Sequence, residues 1–254
     1  MRAAAAKRSI TVRAEHAATL DRAYGADPRQ AVDVFLPADA GAKPLLIFVH
    51  GGYWQLGCRE DVAYLAPPWT ALGVAVATIG YRLAPTVTLP DIVVDVCSGL
   101  TVLRESAAEF SIDLNRVVLA GHSAGAHLAA MASASDPAIR PTASLLISGV
   151  YDIGPLQSTT PGEALTNSQG LPADRVTPLS RQPGPEPAFL AVGADETDAF
   201  RSQTELFAAY CGNWGRPTTV QMLAGKNHFN ALDCLKPGED EATTRFVREH
   251  LGAT

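Results

Sequence analysis

Two short stretches limit what this chain can fold into: His50-Gly51-Gly52-Tyr53-Trp54 and Gly121-His122-Ser123-Ala124-Gly125. Each follows an apolar run that reads as a buried strand. The second has the form G-x-S-x-G, in which a serine occupies a sharp strand-to-helix turn at the top of a parallel sheet. Its surroundings fit that context. Val117, Val118 and Leu119 favour a strand before the turn, and Ala124, Ala126, Leu128, Ala129, Ala130 and Met131 favour helix after it. Small residues on both sides of Ser123 avoid collisions within the turn. The first stretch is an HGG turn, whose backbone N–H groups suit the oxygen of an attacked carbonyl. Together they predict an acyl-transfer nucleophile, Ser123, and an oxyanion site at Gly51, Gly52 and Ala124.

Hydrophobic periodicity places these turns in a larger order. Strands are expected over 31–36, 44–49, 74–79, 143–147, 188–192 and 218–223, beside the run that leads into Ser123. Helices are expected over 60–72, 89–110, 200–210 and 239–251, with Asp113 and Asn115 as turn residues before the elbow strand. Strands alternating with helices predict βαβ units and a mostly parallel sheet covered on both faces. The expectation is one α/β domain over 1–254. Residues 152–187, rich in Pro, Gly, Ser and Thr, read as a lid-like insertion over the carboxyl edge of the sheet.

Composition excludes several classes of function. The 254 residues are 47% hydrophobic and 18% charged, with a net charge of −6, so no basic footprint for nucleic acid exists. No apolar run has the length of a membrane span. Residues 1–8 combine charge with alanine and lack a bulky apolar region. They read as a frayed tail and not a signal peptide, which predicts a cytoplasmic protein. Cys58, Cys97, Cys211 and Cys234 form no C-x-x-C pair and no metal-ligand spacing, so four reduced thiols are expected, with Cys97 buried and Cys58 a plain loop thiol close after the HGG turn in preference to a site-lining one. The expected partner is a small-molecule substrate; neither a metal nor an organic cofactor is called for, and a homodimer is admissible.

A serine hydroxyl needs a base. The nucleophile-elbow order is Ser, acid, His, and only His228 and His250 follow Ser123. His250 lies on the terminal helix, where solvation is expected. His228 follows the last strand, where a histidine can return over the elbow, and is assigned as general base and acid. His50 is expected to shape the oxyanion turn, His127 to pack within its helix, and His122 to contact the substrate. The acid belongs after the strand over 188–192. Asp195, Glu196 and Asp198 all lie there, and residue type alone does not choose among them.

These residues resemble the kynurenine formamidase (arylformamidase) branch of the α/β-hydrolases, related to the hormone-sensitive-lipase-like esterases. The resemblance runs from Tyr24 onward. It includes Val32-Asp33-Val34-Phe35-Leu36-Pro37, the HGGYW turn with Gln55, Tyr81-Arg82-Leu83-Ala84-Pro85, the elbow, Gly193-Ala194-Asp195-Glu196-Thr197-Asp198-Ala199-Phe200 with Gln203, and Asn227-His228-Phe229. It implies the α/β-hydrolase fold and ranks Glu196 first as the triad acid, Asp195 second and Asp198 third. Asn227 departs from the aspartate usual before the histidine, and the segment before Tyr24 is short. The implied activity is hydrolysis of N-formyl-L-kynurenine or a related N-formyl arylamine, with Tyr53 and Trp54 closing a tight acyl side and the aromatic leaving group under the lid. A small-acyl carboxylesterase is the second reading. A hydrolase-fold binding protein without catalysis is the third, and the presence of both Ser123 and His228 opposes it.

Overall fold

Eight strands form one sheet in the order β1-β2-β4-β3-β5-β6-β7-β8. The structure is a computed structural model and describes residues 2–39, 41–135, 138–159, 165 and 173–253. The strands are β1 (Ala18–Ala23), β2 (Ala31–Phe35), β3 (Lys43–Val49), β4 (Ala75–Ile79), β5 (Ile112–His122), β6 (Ala143–Ile147), β7 (Ala188–Gly193) and β8 (Thr218–Leu223). β1 and β2 pair antiparallel, β2 joins β4 antiparallel, and every later pairing is parallel. The central strands are buried on both faces, which explains their continuous apolar runs.

Helices α1 (Arg2–Glu15), α2 (Ala66–Thr70), α3 (Leu89–Glu105), α4 (Ala107–Phe110), α5 (Ala124–Ser133), α6 (Ala173–Val176), α7 (Asp198–Asn213) and α8 (Glu241–Leu251) cover the sheet. Ile92, Val96 and Leu100 of α3, Leu128 and Met131 of α5, and Phe207 of α7 share one core. Trp69 of α2 with Val247 and Leu251 of α8 share the other. α3 begins at a capping box, Thr88 with Asp91.

Four local expectations are corrected. The N-terminal segment is helical over Arg2–Glu15, where a frayed tail was expected. Its alanines favour helix, and contacts elsewhere hold it: Arg13 pairs with the buried Asp33, and Ser9 Oγ donates to Asp61 O. The helix expected over 60–72 is a 3-10 segment, Arg59–Leu65, followed by the short α2, whose start carries Pro67. Asp113 and Asn115 lie inside β5; Asp113 Oδ1 accepts from Asn115 N–H at 3.0 Å, and the β3–β5 register shifts there. Cys97 is half-buried, packed against the first core. β1 was not anticipated, because ATLDRA is polar and half-exposed at the sheet edge. The insertion over 152–187 falls partly outside the described residues. Its described parts include a 3-10 turn at Gly154–Ser158, α6, and a second 3-10 turn at Pro178–Ser180.

Candidate active site

Ser123 sits between β5 and α5 with φ 56° and ψ −120°, a conformation rare for a residue with a side chain. Such a residue costs about 1–3 kcal/mol and persists where its surroundings over-determine it. Here Ser123 N–H donates to Ile147 O at 2.8 Å, and Ser123 O accepts from Ala126 N–H at 3.0 Å. A Cβ at Gly125 would press into Val49 O, so only glycine lets α5 approach β3 this closely.

His228 and Glu196 converge on this serine from separate strands. His228 Nε2 lies 3.0 Å from Ser123 Oγ, and His228 Nδ1 lies 2.7 Å from Glu196 Oε2. A carboxylate only accepts, so Nδ1 carries the proton and Nε2 is free to accept from the serine hydroxyl. The His228 loop is an Asx turn: Asn227 Oδ1 accepts from Phe229 N–H at 2.9 Å. An asparagine side-chain oxygen serves that turn as an aspartate would. Phe200 stacks on the His228 ring at 4.1 Å between centroids. From the other side His122 Nε2–H donates to His228 O at 2.8 Å, tying the loop to the elbow.

The structure separates the three candidate carboxylates. Glu196 is buried, whereas Asp195 is exposed and Asp198 is exposed and paired with Arg201. Glu196 Oε1 accepts from Ser148 Oγ–H at 2.5 Å and from Gly193 N–H at 2.8 Å. Burial pushes the Glu196 carboxyl up, but hydrogen bonds from His228, Ser148 and Gly193 outweigh it and hold it below its ordinary value. Arg201 donates to Ala194 O and Glu196 O, which fixes the loop. Ser148 was missed by sequence reasoning; nothing local marks a serine after an apolar strand as a partner of a distant carboxylate.

The HGGYW turn lies against the elbow. A Cβ at Gly51 would meet His122 O at 2.7 Å and Ser123 Cβ at 3.2 Å. Among the described residues no acceptor is paired with the N–H of Gly51, Gly52 or Ala124. That of Ala124 belongs to the first turn of α5, where helix N–H groups have no internal partner. His50 is buried; its Nδ1–H donates to Gly51 O at 2.8 Å and its ring stacks on Tyr81 at 4.1 Å. Burial lowers its pKa to about 4. His127 is buried too and likewise lowered to about 4; it accepts from Trp54 Nε1–H at 3.2 Å and donates to Val176 O at 2.6 Å. His250 is half-buried, its Nδ1–H donating to Phe246 O at 2.9 Å.

Two cavities flank Ser123. One, about 170 Å³, is lined by Trp54, Ala124, Val150, Leu156 and Phe200. The other, about 420 Å³, lies toward α1 and includes Tyr53, Cys58, His122, His228 and Phe229. Trp54 is buried at 1% exposure and Tyr53 is 45% exposed. Cys58 therefore borders the site, and burial raises its thiol to about 12. Among the described residues no group of His, Cys, Asp and Glu could hold a metal ion, and no helix is long and apolar enough to cross a membrane.

The BD-FAE family model matches residues 32–141. Kynurenine formamidase of Salmo salar is 30% identical over 239 residues, covering 89% of this chain and 79% of that protein. The chain belongs to the kynurenine formamidase family. The Danio rerio kynurenine formamidase is 28% identical, with 92% and 82% covered. Among solved structures, inhibited esterase B from Lactobacillus rhamnosis superposes with a TM-score of 0.80 at 22% identity, covering 98% of this chain and 92% of that one. The chain thus has the α/β-hydrolase fold, and this kynurenine formamidase relative is a hydrolase.

Proposed function

We propose that this chain cleaves the amide of an N-formyl arylamine of the N-formyl-L-kynurenine kind, using Ser123, His228 and Glu196. The observation that carries the reading is the relay itself: 3.0 Å from hydroxyl to imidazole and 2.7 Å from imidazole to a buried carboxylate, beside N–H groups unpaired among the described residues. The identity to kynurenine formamidases supports the choice of amide.

Ser123 Oγ attacks the formyl carbon as His228 Nε2 takes its proton. Glu196 holds the tautomer and stabilises the imidazolium. The oxyanion receives N–H bonds from Ala124 and the Gly51–Gly52 turn, each worth about 3 kcal/mol in the transition state. His228 returns the proton to the leaving amine nitrogen, and water then hydrolyses the formyl ester of Ser123. The formyl group faces the smaller cavity and the arylamine the larger. The described part of the 152–187 insertion borders the smaller cavity, so the leaving group is assigned away from it, contrary to the sequence expectation.

One observation favours a second reading, a small-acyl carboxylesterase. A cavity of about 170 Å³ exceeds what a formyl group fills. The deciding experiment measures kcat/KM for N-formyl-L-kynurenine, p-nitrophenyl acetate and p-nitrophenyl butyrate. A strong preference for the formyl amide is expected; ester turnover without formamide turnover would establish the esterase. Ser123→Ala is the blank and should lose kcat by roughly 10⁴-fold or more. Activity or fluorophosphonate labelling retained by this variant would reassign the nucleophile.

A further inference from the structure

Three charged residues that the acyl-transfer steps do not use line the larger cavity beside Ser123: Arg8, Asp61 and Asp233. Arg8 comes from α1 and Asp61 from the 3-10 segment, and both line the wall that holds Tyr64. Ser9 fixes their register. Its buried hydroxyl donates to Asp61 O at 2.9 Å and accepts from Tyr64 N–H at 3.2 Å. The residue before it, Arg8, lies with its guanidinium 5.0 Å from the centre of the Tyr64 ring. The third lining charge, Asp233, and the neighbouring Glu60 are already matched. Asp233 is taken up by Lys236 at 2.5 Å, and Glu60 by Arg59 at 3.0 Å. Arg8 and Asp61 make no ion pair with each other or with any other described residue. Among the described residues, one cation and one anion without an ion-pair partner therefore line a cavity of about 420 Å³, within the roughly 300–1,000 Å³ range of small-molecule sites.

Resting on the formamidase reading, we propose that this cavity is an α-amino-acid site. It seats the zwitterionic end of the leaving arylamine, with Arg8 on the carboxylate and Asp61 on the ammonium. A guanidinium fork matches a carboxylate in two parallel hydrogen bonds. An exposed ion pair alone contributes little. A ligand that presents both charges satisfies both side chains in one orientation and anchors the ring between them and Ser123. A plain ester or formanilide leaves both protein charges to solvent. The site would thereby select arylformamides that bear an amino acid over those that do not.

Calorimetric binding tests this without turnover. The probes are L-kynurenine and 2-aminoacetophenone, which keeps the ring and ketone and lacks the amino-acid end. The unaltered protein should prefer L-kynurenine by about tenfold or more. Arg8→Met and Asp61→Asn should each remove most of that preference; thermal unfolding checks that both variants fold. Equal binding of the two probes, binding of neither, or a preference that survives both substitutions would overturn the proposal. The formamidase reading fails separately, if the unaltered protein hydrolyses neither N-formyl-L-kynurenine nor formanilide.

Discussion

Glu196 holds its proton loosely because three donors converge on it in a buried loop: His228, Ser148 and the Gly193 N–H. Ser148→Ala removes one neutral donor. A loss of about 3–10-fold in kcat on p-nitrophenyl acetate is expected, with KM little changed. The same bonds couple this residue to stability. A carboxylate depressed in the folded state adds stability that is complete above its ordinary value of 4.5 and is lost as pH falls through the lower folded value. Glu196→Gln should therefore flatten the fall of the thermal midpoint below about pH 4.5, while cutting kcat; an unchanged acid limb would mean the carboxylate carries no such coupling. Sequence made Ser123 and His228 legible because their positions follow from chain order and from the elbow. It could not separate Asp195, Glu196 and Asp198 by residue type, since what separates them is burial and the company of Ser148, which lies 48 positions away in the chain.

Two elements carry the site on close backbone contacts. α5 reaches β3 only because Gly125 lacks a Cβ that would meet Val49 O. Gly125→Ala should push α5 off the sheet, lower the unfolding midpoint by several degrees and remove activity; native-like stability and turnover would show that the helix gives way easily. α1 depends on charge. Asp33 is fully buried between Arg13 and Arg59 and also accepts from Asp21 N–H at 2.9 Å. Asp33→Asn removes the buried carboxylate from two cations that keep Asp21 and Glu60 as partners, at a cost of about 1.5–3 kcal/mol, read as a shift in the urea midpoint at constant slope. Neither α1 nor β1 was legible. Their sequences carry no strong apolar face, and both are held by partners that are distant in the chain.

Across the whole molecule, the Ser123–His228–Glu196 relay, Ser148 and the glycine turn lie just beyond the carboxyl ends of parallel strands. Gly51 and Gly52 follow β3, Ser123 follows β5, Ser148 follows β6, Glu196 follows β7 and His228 follows β8. The two buried histidines, His50 and His127, flank this edge as neutral rings. Their folded values of about 4 lie below the ordinary 6.5, so the unfolded chain binds protons first. Stability should be complete above pH 6.5 and decline as pH falls toward 4, by roughly 3 kcal/mol for each histidine. His127→Gln should remove its share of that slope in urea titrations run from pH 7 to 4; an identical slope would mean that His127 titrates freely. The central strands, the elbow and the candidates for nucleophile and base were determined by sequence alone, because period, turn chemistry and chain order are local properties. The burial that sets Glu196 apart from Asp195 and Asp198, the helix built from an unpromising N-terminus and the two unequal cavities around Ser123 were decided only in three dimensions, because each depends on which distant groups exclude water together.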